Sequence, residues 1–289
     1  MNIPIRKWKP LNGSFSKDLN EALQQQHHAA QFIALAGHHL IEQLPDDSNT
    51  NMEYIPVWEM LLGHILPQNI RIGLHLTGLS ISIFDKTNVE QKVILLQDKT
   101  KQTVFNELKQ ELEALGLQVA GFTNEMHYDL PEHPLNKGAV FIMKNEDRFI
   151  EASNYRHNAE LVINEISGKF DQAAPVRVWP HHFDTGSLIP VSYNDSGEII
   201  KSIGMGWAMP DNMVNEPYYY LSFLSEEPIE GVEKLESLNL GRWMMPDWNG
   251  AILTHSVISN AGTASRQFQL AKTFLNTGID ILLNKINNK

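Results

Sequence analysis

The chain has 289 residues, 42% of them hydrophobic and 20% charged, which are ordinary globular proportions at a length that allows a sizeable core. A formal net charge of −11 offers no electrostatic footprint for nucleic acid, which needs clustered Lys and Arg. The absence of cysteine excludes disulfides, thiolate metal sites and a cysteine nucleophile. No stretch approaches the roughly 20 apolar residues of a membrane span, and Met1 to Asn12 lacks a signal-type apolar run. A soluble, cytoplasmic protein with no membrane partner is expected, its oligomeric state left open. The one basic stretch, Arg6-Lys7-Trp8-Lys9, reads as a solvated end.

In chain order, a long helix is expected from Ser16, a plausible N-cap, to before Pro45, with Ala29, Phe32, Ile33, Ala36 and Leu40 on its buried stripe. Strands follow around Ile70 to Leu76 and Leu79 to Ile83. A turn at Asp85 to Asn88 leads to a return strand from Lys92 to Leu96. A helix from Thr103 to Leu115 ends at Gly116, and Leu117 to Phe122 reads as another strand. The second half repeats this plan loosely. It begins with a helix from Asp147 to Ser167 and a strand from Val176 to Trp179. A hairpin follows around Asn194-Asp195-Ser196-Gly197, then a strand from Tyr218 to Leu224 and a last helix from Thr263 to Leu283. Strands cluster between helices instead of alternating with them, which points to α+β: two loosely repeated lobes, 1–144 and 145–289, each a mostly antiparallel sheet packed with long helices.

The densest chemistry lies in Trp179-Pro180-His181-His182-Phe183-Asp184. In an extended segment His182 and Asp184 share a face about 6.5 Å apart, so both can meet one metal, or Asp184 can orient His182 as a base. The alternative is that these side chains close the core and Asp184 caps a turn. His127-Tyr128-Asp129-Leu130-Pro131-Glu132-His133 is a second mixture of imidazoles and carboxylates. A divalent-metal site would take His127, Asp129 and His182 or Asp184 if the segments face each other; otherwise this is a solvated polar loop. The pairs His27-His28 and His38-His39 share a helix face but lie about 16 Å apart, too far for one ion, and read as helix-surface or lobe-contact histidines. Gly204-Met205-Gly206-Trp207 leads into Pro210 and not into a helix, so it is no dinucleotide fingerprint. Tyr218 and Tyr220 would line one wall while Tyr219 packs opposite. There is no serine-nucleophile elbow, nucleotide phosphate loop, His-Glu-x-x-His helix or EF-hand loop.

These residues together resemble a family of bacterial proteins known only as a domain of unknown function. The likeness runs through Leu115-Gly116, Tyr128 to Pro131, Pro175-Val176 and a Trp-x-x-x-Phe-Asp motif (Trp179, Phe183, Asp184). It continues through Gly206, Trp207 and Pro210, the aromatic run Tyr218 to Tyr220, and Glu226-Glu227-Pro228. It implies one integral unit over 1–289 and no particular activity. The chain departs from the family pattern in its histidines at 127, 133 and 181.

Three readings of function follow. One is a small-molecule cleft between the lobes, lined by Trp179, His182, Asp184, Asp129, Trp207, Tyr218 and Tyr220. Another is a metal-dependent hydrolase using His127, Asp129, His182 and Asp184. The third is a non-enzymatic interaction protein with aromatic patches.

Overall fold

The computed structural model describes residues 7–11, 13–228, 231–232 and 235–287. They form helices and antiparallel sheets in two compact units, each discontinuous in sequence. One unit, Ser16–Ser153 with Arg177–Phe183, is built on α1 (Lys17–Leu40), which begins where Ser16 accepts a hydrogen bond from the Leu19 N–H at 3.2 Å, an N-cap. The expected stripe of Ala29, Phe32, Ile33 and Ala36 is buried, but so are Gln25, Gln26, His27, His28 and Gln31. A helix buried beyond its apolar stripe must satisfy its polar groups internally. Gln26 does so by donating to the Leu76 and Phe149 carbonyls at 3.0 and 3.2 Å.

Beside α1 runs a meander of β1 (Glu53–Ile55), β2 (Met60–Leu62), β3 (Arg71–His75), β4 (Ser80–Phe84) and β5 (Glu90–Leu95), each strand antiparallel to the next. β4 is buried along its whole length, because α1 packs near β3 on one side while Met60, Leu62 and Phe84 cluster together. Helix α2 (Lys101–Ala114) is capped by Thr100, which accepts from the Thr103 N–H at 3.1 Å. It stops at Gly116, whose φ of +89° suits glycine. The strand expected at Leu117 to Phe122 does not form. Leu117, Val119 and Phe122 are buried, but the segment packs beside α2, with the Phe105 and Phe122 rings 4.9 Å apart and the Lys109 ammonium donating to the Phe122 carbonyl at 2.7 Å. β6 (Arg177–Trp179) completes this unit through paired backbone bonds of 2.9 and 2.8 Å between Met52 and Val178.

The other unit comprises residues up to Phe15, Asn154–Val176 and from Asp184 onward. The chain passes between the units inside α3 (Glu146–Ser167). Here β7 (Asp184–Tyr193), β8 (Ile199–Ala208), β9 (Tyr218–Ser225), β10 (Arg242–Trp243) and β11 (Gly250–Thr254) lie side by side in the order β10-β11-β9-β8-β7, followed by α4 (His255–Ser259) and α5 (Ala264–Asn287). The expected hairpin turn forms: Asn194 Oδ1 accepts from the Ser196 and Glu198 N–H groups at 3.0 and 2.8 Å. α5 packs on β8, β9 and β11, approaching so closely at Gly278 that a Cβ there would stand 2.2 Å from Leu221 Cδ1.

Of the basic N-terminal stretch, Arg6 lies outside the described residues and Lys7 is exposed, but Trp8 is buried. Its indole donates to Gln267 Oε1 at 3.0 Å, and Gln267 also brackets Leu11 through both backbone groups. Asn158 does the same for Lys9, with both bonds at 2.8 Å. Two buried amides thus secure a segment whose charges suggest a loose end. No described helix is long and apolar enough to cross a membrane.

Candidate metal centre and adjoining cleft

In the β7–β11 unit, register places Gly186 opposite Gly206, Gly206 opposite Tyr220, and Tyr220 opposite Ile252. Residues of this row share a sheet face. Tyr220 Oη donates to Asp184 Oδ2 at 2.5 Å, and Tyr218 Oη donates to Asp211 Oδ2 at 2.5 Å. The two phenol rings lie 6.4 Å apart. The Gly-x-Gly feature has a steric cause: a Cβ on Gly206 would stand 2.4 Å from Tyr220 Cζ. Burial, the Asp184 charge and its hydrogen bond push the Tyr220 phenol well above its ordinary pKa. Burial and the Asp211 bond do the same for Tyr218. Both phenols therefore remain donors, and each spends its proton on its own carboxylate. Trp207 points to the opposite face, 1% exposed, its ring stacked on Tyr155 at 5.5 Å with the Arg156 guanidinium 5.0 Å away. Arg156 in turn donates to Thr185 Oγ1.

Asp129, Trp179 and His182 belong to the β1–β6 unit, where the segments around 128 and 181 meet. Gln31 of α1 joins them: Tyr128 Oη donates to its Oε1 at 2.8 Å, and its Nε2 donates to the Pro180 carbonyl at 2.9 Å. His27 Nε2 donates to the same carbonyl at 2.8 Å. The Tyr128 and His181 rings are 4.8 Å apart, and His181 and His182 are 4.2 Å apart. Phe183 stacks on His27 at 5.1 Å. Asp129 and His182 are exposed and Trp179 is half-buried.

His127 finds its carboxylate in a loop the sequence reading did not include. Its Nε2 lies 3.0 Å from Asp47 Oδ2, and His38, in the last turn of α1, completes a group whose three ligand atoms lie within 4.8 Å of one another. At 3.0 Å His127 and Asp47 contact each other directly; two tetrahedral ligands about 2.1 Å from one ion would stand about 3.4 Å apart, so the three groups would have to shift by a few tenths of an ångström or more to share a cation. Glycine builds this corner. A Cβ on Gly37 would stand 2.2 Å from the Asn49 carbonyl oxygen, so only glycine lets the 44–51 loop lie against the helix. Asn49 then donates to the Gly37 carbonyl and accepts from the Leu44 N–H, both at 3.0 Å. Asp47 itself adopts φ +61°. His38 Nδ1 is buried with no hydrogen-bond partner. Burial, then the neighbouring His39 and His127, lower the His38 pKa and keep its ring in the neutral form that binds metals. His39 Nε2 donates to the Glu125 carbonyl at 2.8 Å, tying the loop before His127 to the helix.

One residue beyond His127, Tyr128 enters the wall of a cleft of about 460 Å³ whose polar lining includes Gln31, Lys101, Asn124, Tyr128, Asp129 and Asn136. Phe32, Leu35, Met126 and Leu130 supply its apolar surface. Burial and Asp47 raise the Tyr128 phenol above its ordinary pKa, so it too stays a donor. His28 is fully buried, with both ring nitrogens unmatched and its ring 4.9 Å from His133. Burial foremost, then Lys101, His27 and His133, push its pKa down to about 2.

The spacing of His38 from His27-His28 carries no information about Asp47, so neither member of this group stands out in the sequence. The available signal was Gly37, a glycine inside a long helix, which marks close backbone approach. No protein-family model matches this chain, and neither the curated proteins nor the solved structures contain a significant match.

Proposed function

We propose that the protein is a metal-dependent hydrolase of small molecules, with His38, Asp47 and His127 holding one divalent transition-metal ion and the neighbouring cleft holding the substrate. The observation that carries this reading is the convergence of two imidazoles and one carboxylate, with a buried His38 nitrogen unspent in hydrogen bonding. Three protein ligands leave coordination positions for water and substrate, the pattern of catalytic rather than structural sites. A bound ion would supply Lewis acidity and a water acidified toward neutral pH. The chain's own residues set the geometry: Gly37 and Asn49 seat the loop of Asp47, and His39 anchors the loop of His127. Tyr128 lies on the cleft wall as a protonated phenol that donates to Gln31 Oε1.

The test is calorimetric titration of chelator-treated protein with Zn²⁺, Mn²⁺ and Co²⁺, alongside Asp47→Asn and His127→Ala. The reading requires one saturable site in the wild type and a loss of affinity of about tenfold or more in each variant. Equal affinity in all three proteins would overturn it.

A further inference from the structure

Lys101 is the first residue of α2, where the helix dipole adds positive potential to its own charge. It is half-buried and lines the cleft. Its ammonium donates to Asn136 Oδ1 at 3.1 Å, a neutral acceptor, and among the described residues no carboxylate lies within ion-pair distance of it. Burial lowers its pKa from the ordinary lysine value, as expected of a charge drawn from water without a counter-ion. The neighbouring His28 stays neutral and supplies no negative charge. A half-buried cation whose only partner among the described residues is a neutral amide oxygen is better stabilised by an anionic ligand.

The opposite charges in the same cleft narrow the ligand. Glu125 and Asp129, both exposed, lie on the loop that leads to and from His127. One cation against two carboxylates disfavours a dianionic phosphate and suits a molecule with one anionic and one cationic end. Apolar surface from Phe32, Leu35, Met126 and Leu130 suits an aliphatic side chain between them.

We infer that the cleft binds short unblocked peptides, with Lys101 and Asn136 taking the terminal carboxylate and the Glu125–Asp129 loop facing the amino end. This names the substrate class of the hydrolase proposed above and rests on that reading for the bond that is cut. In that reaction water adds across the amide C–N bond, its hydroxyl to the carbonyl carbon and its proton to the leaving amine. Binding at Lys101 requires no metal, so the two ideas can fail separately.

The experiment is titration of metal-free protein with glycyl-leucine, glycyl-leucinamide and N-acetylglycyl-leucine, followed by NMR or calorimetry. Saturable binding of glycyl-leucine is expected, weakened at least about tenfold by amidating its carboxylate, the scale of losing a charge-assisted hydrogen bond. Lys101→Met should bind glycyl-leucine and its amide equally weakly, and Lys101→Arg should restore the preference for the carboxylate. Binding of acetylated and free peptide with equal affinity would remove the amino-end assignment and with it the peptide class. No saturable binding, or equal binding of acid and amide by the wild type, would overturn the inference. If peptide binding holds while zinc binding fails, the subsite stands and the hydrolase falls; the reverse outcome removes the substrate class and leaves the metal site.

Discussion

The two units pair their carboxylates with different partners. In the β7–β11 unit, Tyr218 and Tyr220 each donate to a carboxylate, Asp211 and Asp184, so phenol and acid satisfy one another. In the β1–β6 unit, His127 and Asp47 lie 3.0 Å apart beside His38, whose Nδ1 is buried and unmatched, and Lys101 faces a cleft with only a neutral acceptor. Buried polar groups are matched as a rule, and exceptions call for an explanation. Unmatched buried atoms occur in both units, Tyr219 Oη in one and His38 Nδ1 in the other; what distinguishes the histidine corner among the described residues is that two imidazoles and a carboxylate converge there.

Gly37→Ala is expected to act on both stability and metal binding, and tests whether the histidine corner is built by close packing. In an open helix this change stabilises by about 1 kcal/mol. Here the new Cβ meets the Asn49 carbonyl at 2.2 Å, and overpacking of this kind costs about 1–3 kcal/mol or more. We expect a net loss of about 2 kcal/mol in chemical denaturation, accompanied by weaker metal binding as Asp47 moves. A gain in stability would show that the loop is not held against α1.

Acid should strike the β1–β6 unit through His28. Its folded pKa of about 2 lies below the ordinary value of about 6.5, so below pH 6.5 the unfolded chain binds the extra proton. Stability is therefore full above about pH 6.5 and falls as pH drops, by about 2–3 kcal/mol at pH 4.5. His28→Leu should flatten denaturation midpoints over that window. An unchanged slope would mean that His28 is not held neutral.

A smaller effect is expected in the other unit. Tyr220→Phe leaves Asp184 without this donor and should cost about 1–2 kcal/mol, with zinc affinity unchanged. If zinc affinity fell, the aromatic-acid row would belong to the functional site and the contrast between the units would dissolve.

What the sequence disclosed follows from the range of its signals. Helix starts and stops are local: Ser16 as a cap, Gly116 as a stop and Asn194 to Gly197 as a turn are all found in those roles. Period-two alternation located β3, β4 and β9 but not whether a strand finds a neighbour, so Leu117 to Phe122 was read as a strand and packs as an irregular segment beside α2. Short β1, β2 and β10 carry too few residues for a pattern, and β11, Gly-Ala-Ile-Leu-Thr, does not alternate. Chemistry was harder to read because it is non-local. The meeting of the 128 and 181 segments depends on Gln31 of α1, and the partner of His127 arrives from a loop 80 residues upstream at Asp47. Neither relation leaves a spacing in the chain.

The most direct test is a ¹⁵N-histidine NMR spectrum of chelator-treated protein before and after one equivalent of Zn²⁺. The account predicts that the ring nitrogens of His38 and His127 shift together and saturate at one equivalent, and that those of His181 and His182 do not. Unmoved His38 and His127 resonances, or coordination shifts at His182 in their place, would contradict it.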